Sequence, residues 1–380
     1  MEHIAREFLP KERHVREIQK ESREIKTVSD YIDRVDRYIL ARGGENSVVV
    51  YRGEPKIYPF PCRPNIFRKG VMEGNPFFER SLFNAMRQSN LTGEKRYLDN
   101  AIDAQHGEFP SRLLDVTYNC LTALYFAVTP YYREKEDSKD GEAGMVFLFF
   151  VDDIFSPSAR NTNDNYDAII NRDKPWFNGR KIFQKNHKFI DHIKLNSRII
   201  AQQGAFILFQ GDEAEDLPAY MTYGIRIPPS AKPRLRHELK QMFGIHTGSI
   251  YPEIINLVED ISQKSRRLNT RDFTWENELA YGMDRLEKEL EYYLDYAVDQ
   301  HRNGGENTDQ ILLEIEKIIN SYRVGIVEFV REFPLEDRTQ LAAGMKGILE
   351  RYQSIVHEFA DELVRYGIGS VSLKSLEITL

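Results

Sequence analysis

The chain has little cysteine. Cys62 and Cys120 are the two among 380 residues. Two separated thiols exclude a disulfide framework, and neither stands in the Cys/His spacing of a zinc site. They fit a reducing cytoplasm. Long apolar runs are also missing. The longest, Met145 to Val151, is too short to cross a bilayer and reads as a buried strand. Met1 to Arg23 is crowded with Glu, Lys and Arg and lacks the apolar stretch of a secretory leader. A microbial, cytoplasmic protein is expected. There is no basic excess either. The formal net charge is -7, so non-specific nucleic-acid binding through a generally basic surface is not indicated. Walker A, G-x-G-x-x-G, H-E-x-x-H and G-x-S-x-G patterns are absent, which removes the common signatures of nucleotide, metalloprotease and hydrolase sites.

What is present suits a folded protein of more than one domain. Hydrophobic residues make up 41% and aromatics 12%, enough for a core, and the length predicts two or three domains. Three segments are expected: an N-terminal helical segment over 1–44, a central domain over 45–270 and a C-terminal helical domain over 271–380. In the first, Val15, Ile18, Ile25, Val28, Ile32, Val35, Tyr38 and Ile39 repeat at helical spacing, and Gly43-Gly44 ends the pattern. Ser47 to Tyr51 is a β-branched strand. Helices are expected over Pro76 to Gln88, Lys95 to Gln105 and, capped by Asn119, over Asn119 to Val128. Ser156 to Asn186 is polar and Asn-rich and reads as a long loop or lid. Arg198 to Gln210 reads as a strand pair or a bent strand kinked at Gly204. Gly224 to Ile227 is a strand and Ser230 to Phe243 a helix. From Trp275 the chain is amphipathic and helical, with a loop at Asn303 to Asn307 and a long helix from Glu336 to Tyr366, the pattern of a bundle. The fold class is α+β: a small, mostly antiparallel sheet wrapped by helices, followed by a C-terminal helical bundle.

Three polar blocks stand at the ends of apolar elements: Tyr51-Arg52-Gly53-Glu54, the run Ala104 to Asp115, and Ala201-Gln202-Gln203-Gly204-Ala205-Phe206. Arg52 carries a rigid fork suited to phosphate or carboxylate, or ties loops together through Asp115 or Glu54. His106 and Glu54 are the candidate acid/base groups; a lone His is also often a structural hydrogen-bonding residue. Arg112 and Asp115 lie three apart in an extended segment and so face opposite ways. Arg112 is placed in a pocket and Asp115 ahead of the following helix as an anchor. Gln202 and Gln203 precede Gly204, which lets the backbone approach closely; one of the pair should face inward, with Gln203 in the ligand-binding set, and a glutamine bonding the neighbouring strand is the other reading. Tyr51, Gln105 and Thr117 complete the ligand-binding set, and Gly53, Gly204 and Asp115 support it. No metal site is expected, because Asp152-Asp153 and Glu213 to Asp216 read as solvated loop carboxylates.

The three blocks, in this order, resemble the FRG domain family over roughly Ser47 to Ile261. Glu54, Ser111 and Val116 depart from that family's usual Gln, Thr and Trp. The resemblance implies a component of phage-defence, toxin-like or prophage-encoded systems. The layout also looks distantly like the ADP-ribosyltransferase fold. That likeness implies an NAD-binding Arg at Arg52 and a second element at Thr117. Its third element falls at Asn196 to Phe206, where Asn196-Ser197-Arg198 offers no catalytic carboxylate. Two readings stay open. One is an effector or sensor of anti-phage defence whose pocket takes a nucleotide-like or NAD-like ligand. The other is a non-enzymatic interaction protein that self-associates or binds a protein partner through 271–380. A nucleic-acid-processing enzyme is the weaker third, and no membrane partner is indicated.

Overall fold

The computed structural model describes residues 24–42, 48–68, 72, 75–91, 96–106, 109–191, 197–303, 308–334 and 338–371. Met1 to Arg23, the Gly43-Gly44 stop, Asn196 and most of the loop at Asn303 to Asn307 lie outside the described residues. The chain divides into two compact units, Met1–Arg266 and Arg267–Leu380.

In the first unit, helix α1 (Val28–Arg42) leads to strand β1 (Val48–Glu54). Helices α2 (Phe78–Gln88) and α3 (Tyr97–His106) precede β2 (Leu113–Thr117) and α4 (Cys120–Val128). Next come β3 (Gly144–Val151), β4 (Ile154–Phe155), α5 (Arg160–Asn171), β5 (Lys188–Ile190), α6 (Ser197–Gln202), β6 (Gly204–Leu208) and β7 (Thr222–Ile227). Helices α7 (Lys232–Phe243) and α8 (Ile254–Ser265) complete the unit. The strands form one sheet in the order β4-β5-β6-β2-β1-β3-β7. Every neighbouring pair is antiparallel except β4 and β5.

All eight residues of β3 are buried. A strand covered on both faces needs no polar alternation, which explains the apolar run Met145 to Val151. Val146, Leu148 and Phe150 meet α1, α4 and α7 on one face. Met145, Phe147, Phe149 and Val151 pack on the other against side chains of β2, β5 and β6, where the sheet curls on itself. A third cluster joins α2, α3 and α5 to Leu113, Phe206 and Leu208. Lys232 is buried at the start of α7, and its Nζ donates to the carbonyls of Pro55 and Lys139 at 2.7 Å each. Burial pushes this amine down to about 8, against the opposing pull of Asp140.

Two sequence expectations fail here. Ser156 to Asn186 is not a long loop. It contains α5, where Thr162, Tyr166, Ile169 and Ile170 point inward and the buried Asn163 donates to the carbonyls of Pro157 and Ala159. Its buried stripe is partly polar, so hydrophobic periodicity hides it. Arg198 to Gln210 is not a bent strand. It is a helix followed by β6, joined by Gln203 in the left-handed region at φ +48°. The Ile199-Ile200 pair favours a strand locally, but packing of Ile199 into the third cluster decides for helix.

The second unit holds α9 (Trp275–Arg302), α10 (Thr308–Glu332) and α11 (Arg338–Arg365). Thr274 caps α9 by accepting from the Asn277 N–H at 3.3 Å. Met283, Leu286, Leu290, Leu294 and Ala297 form its inner stripe, facing Ile315 and Ile319 of α10 and Met345, Tyr352 and Leu363 of α11. Gly367 at φ +71° ends α11. Among the described residues, no helix is long and apolar enough to cross a membrane.

Candidate ligand-binding cleft

The sheet parts between β1 and β2. Their ladder holds one Cα pair, Tyr51 with Thr117. On either side the strands keep to other partners, β1 to β3 and β2 to β6. A cleft of about 270 Å³ occupies the gap. Tyr51, Arg52 and Gly53 line it from β1, and Asp115, Val116 and Thr117 from β2. Asn65, Gln105, Phe126, Tyr131, Arg198, Gln202 and Tyr251 complete the walls.

Local chemistry fixes this geometry. Asn119 accepts from the N–H groups of Leu121 and Thr122 at 2.9 and 3.3 Å and starts α4. Helix α4 then packs so closely on β1 that a Cβ on Gly53 would lie 1.9 Å from the Ala123 carbonyl oxygen. Phe126 thereby reaches the cleft. Thr117 accepts from the Asn119 N–H at 3.0 Å and donates to the Gln202 carbonyl at 2.6 Å, tying α6 to β2.

Arg52 spans the parting. Its Nε donates to Glu54 Oε1 at 3.1 Å and its Nη1 to the Asp115 main-chain oxygen at 2.8 Å. Its Nη2 makes no hydrogen bond among the described residues. Burial works against the Arg52 charge, but Glu54, Cys62 and Asp115 outweigh it and raise its pKa. Arg198 faces the same space. Its guanidinium lies over the Tyr251 ring at 4.6 Å and 3.7 Å from Glu253. Burial opposes its charge too, and Tyr251, Tyr131 and Glu253 raise its pKa above the ordinary value. Tyr251 packs edge-on against Phe126 and Tyr131, with ring centroids at 6.2 and 6.1 Å, so one aromatic wall carries a cation. Asp115 is exposed through the mouth of the cleft. The surrounding walls raise its pKa by desolvation, against the pull of Arg52 and Arg198.

Several candidates stand where the sequence did not put them. Arg112 does not face the cleft. It is 2% exposed, its Nε donates to Glu79 Oε2 at 2.5 Å, and its Nη1 reaches the carbonyls of Phe209, Gln210 and Gly211. Tyr166 donates to the same Glu79 at 2.8 Å. The roles expected of Arg112 and Asp115 are exchanged: the arginine anchors and the aspartate lines the cleft. Glu54 is buried outside the cleft lining, and its Oε1 accepts from Arg52, the Cys62 N–H at 3.1 Å and Arg68 at 2.8 Å. It is an anchor rather than an exposed acid/base. Gln203 is an exposed joint, while Gln202 lines the cleft and donates to the Ile250 carbonyl at 3.2 Å. Gly204 makes no close approach, since an added Cβ would meet Ile199 at an ordinary 3.7 Å. Gln105 lines the cleft while donating to Ser111 Oγ at 2.9 Å and the Leu113 carbonyl at 2.6 Å. His106 ends α3, and its side chain lies outside the described residues. The sequence missed Arg198 and Tyr251. Arg198 stands close before the third polar block, a usable signal; Tyr251 has none.

The lining therefore combines two guanidinium groups, an aromatic wall, three side-chain amides and one carboxylate. Such a set can hold an anion beside a planar ring. Among the described residues, no group of three His, Cys, Asp or Glu side chains is placed to hold a metal ion.

Residues 47–137 match the family model of the FRG domain. The chain carries an FRG domain. The matched segment runs from β1 through α4 and supplies Arg52, Asp115, Phe126 and Tyr131 to the cleft. Arg198, Gln202 and Tyr251 come from beyond it, so the FRG segment builds one side of the cleft and later elements close the other. No curated protein and no solved structure matches the chain.

Proposed function

We propose that the FRG-domain cleft binds a nucleotide-like ligand, NAD-like dinucleotides included, and that the protein is an effector or sensor in anti-phage defence or a toxin-like system. One observation carries the ligand class: Arg52 and Arg198 line the same cleft as Phe126, Tyr131 and Tyr251. Guanidinium forks suit phosphate oxygens, aromatic faces suit bases, and Gln105, Gln202 and Asn65 offer donors and acceptors to an amide edge. The volume, about 270 Å³, suits the nucleoside-sized part of a ligand whose phosphates extend toward the mouth. The defence setting rests on the family resemblance alone.

The test is thermal stabilisation of the purified protein by nucleotides and NAD, since a ligand of the native state raises the melting temperature by mass action. A shift in wild type that R52A and R198A abolish while still folded supports the reading. A shift unchanged in both variants removes it.

A second reading has its own observation. Tyr292 and Tyr296, one turn apart on α9, are 67% and 44% exposed and share one face of the helix. They fit self-association or partner binding through the helical unit. Y292S/Y296S is expected to lower the apparent mass in sedimentation, and an unchanged mass counts against it.

A further inference from the structure

The cleft turns a carboxylate toward a ligand that its arginines mark as an anion. Asp115 shares β2 with Thr117, and its exposed side chain lines the gap. Its carboxylate accepts no hydrogen bond from another described residue. The Arg52 Nη1 goes to the Asp115 main chain and the Arg52 Nε to Glu54, while Arg198 leans on Glu253 and the Tyr251 ring. Nor does Asp115 anchor α4, because Asn119 and Thr117 already satisfy the first N–H groups there. A bare carboxylate repels a phosphate placed beside it. The two demands are reconciled by a ligand that is anionic at the guanidiniums and presents neutral donors at Asp115. A vicinal diol is such a donor pair, and a carboxylate can accept from both hydroxyls.

Resting on the nucleotide-like reading, we infer that Asp115 accepts hydrogen bonds from the 2′,3′-diol of a ribonucleoside diphosphate whose phosphates lie against Arg52 and Arg198, so that the cleft selects ribose sugars. Asp115 is then a specificity residue. The phosphates contribute affinity through Arg52 and Arg198, and the aromatic wall tolerates any base.

Calorimetric titration of the full chain with ADP and with 2′,3′-dideoxy-ADP decides this. Wild type is expected to bind ADP about tenfold or more tightly than the dideoxy analogue, as a site built to bond a hydroxyl rejects a ligand without it. D115A is expected to bind the two alike. R52A is expected to weaken both by a common factor. The exposed carboxylate bonds no other described residue and is dispensable for folding, so D115A and D115N should melt as wild type does. If wild type binds both ligands equally and R52A loses both, the Asp115 assignment is overturned and the nucleotide reading stands. The assignment also falls if D115A still discriminates. If wild type binds neither ligand, both fall together.

Discussion

At Arg112 the guanidinium has exchanged water for Glu79 and three main-chain carbonyls, and at Arg52 it has kept an open side toward a cleft. Removing one partner of a buried ion pair leaves the other charge stranded. R112A is therefore expected to lose about 3–5 kcal/mol of stability in urea unfolding. R52A should lose much less, about 1 kcal/mol, because Glu54 keeps Arg68 and the Cys62 N–H. Equal losses in the two variants would contradict this division of roles. His187 supplies a pH effect at the same scale. Burial pushes its imidazole down to about 4, with the main chain of Asp216 and Glu215 opposing. The unfolded chain then holds the proton more tightly than the folded one. Stability from this residue is full above about pH 6.5 and is lost as the pH falls toward 4, by roughly 1–3 kcal/mol. The ring sits 4.4 Å from Phe209, so H187F keeps an aromatic contact and should flatten the acid limb of a melting-temperature profile between those values. An unaltered acid limb would locate the effect elsewhere.

Elements meet most closely where β1 passes under α4. There Gly53 is a steric requirement, because any Cβ would overlap the helix backbone. G53A is expected to force the two apart, cost about 3 kcal/mol or more, and distort the cleft. G204A sits in ordinary contact and without a positive φ, so it should stay within about 1 kcal/mol of wild type. A pair of thermal melts separates these outcomes, and a tolerated G53A would mean the helix does not lie where described. The cap of α4 belongs to the same arrangement, since Asn119 both starts the helix and hands its own N–H to Thr117. N119A should cost about 1 kcal/mol.

Across the whole molecule, two units each own a core. The first encloses its sheet on both faces, which leaves the parting between β1 and β2 as the opening at its centre. The second buries one stripe from each of three long helices. A chain of residues 267–380 is expected to be helical by circular dichroism and to melt in one cooperative transition. A non-cooperative melt would show that its core does not suffice alone.

The residues themselves carried much of this. Short apolar and β-branched runs marked β1 and β3, a cap before an apolar run marked α4, and amphipathic helical patterning marked the C-terminal unit. Asn119 was legible as a cap, and the block from Ala104 to Asp115 marked the matched domain. Within that block the sequence pointed to Arg112 as the pocket residue, whereas Asp115 lines the cleft. Burial is set by what packs from afar: Glu79 on α2 and Tyr166 on α5 claimed the arginine. The same holds for Arg198 and Tyr251, which reach the cleft because α6 and the segment before α8 fold back onto the parted strands. Local spacing fixes a face, whereas the tertiary structure decides whether that face meets core, neighbour or ligand.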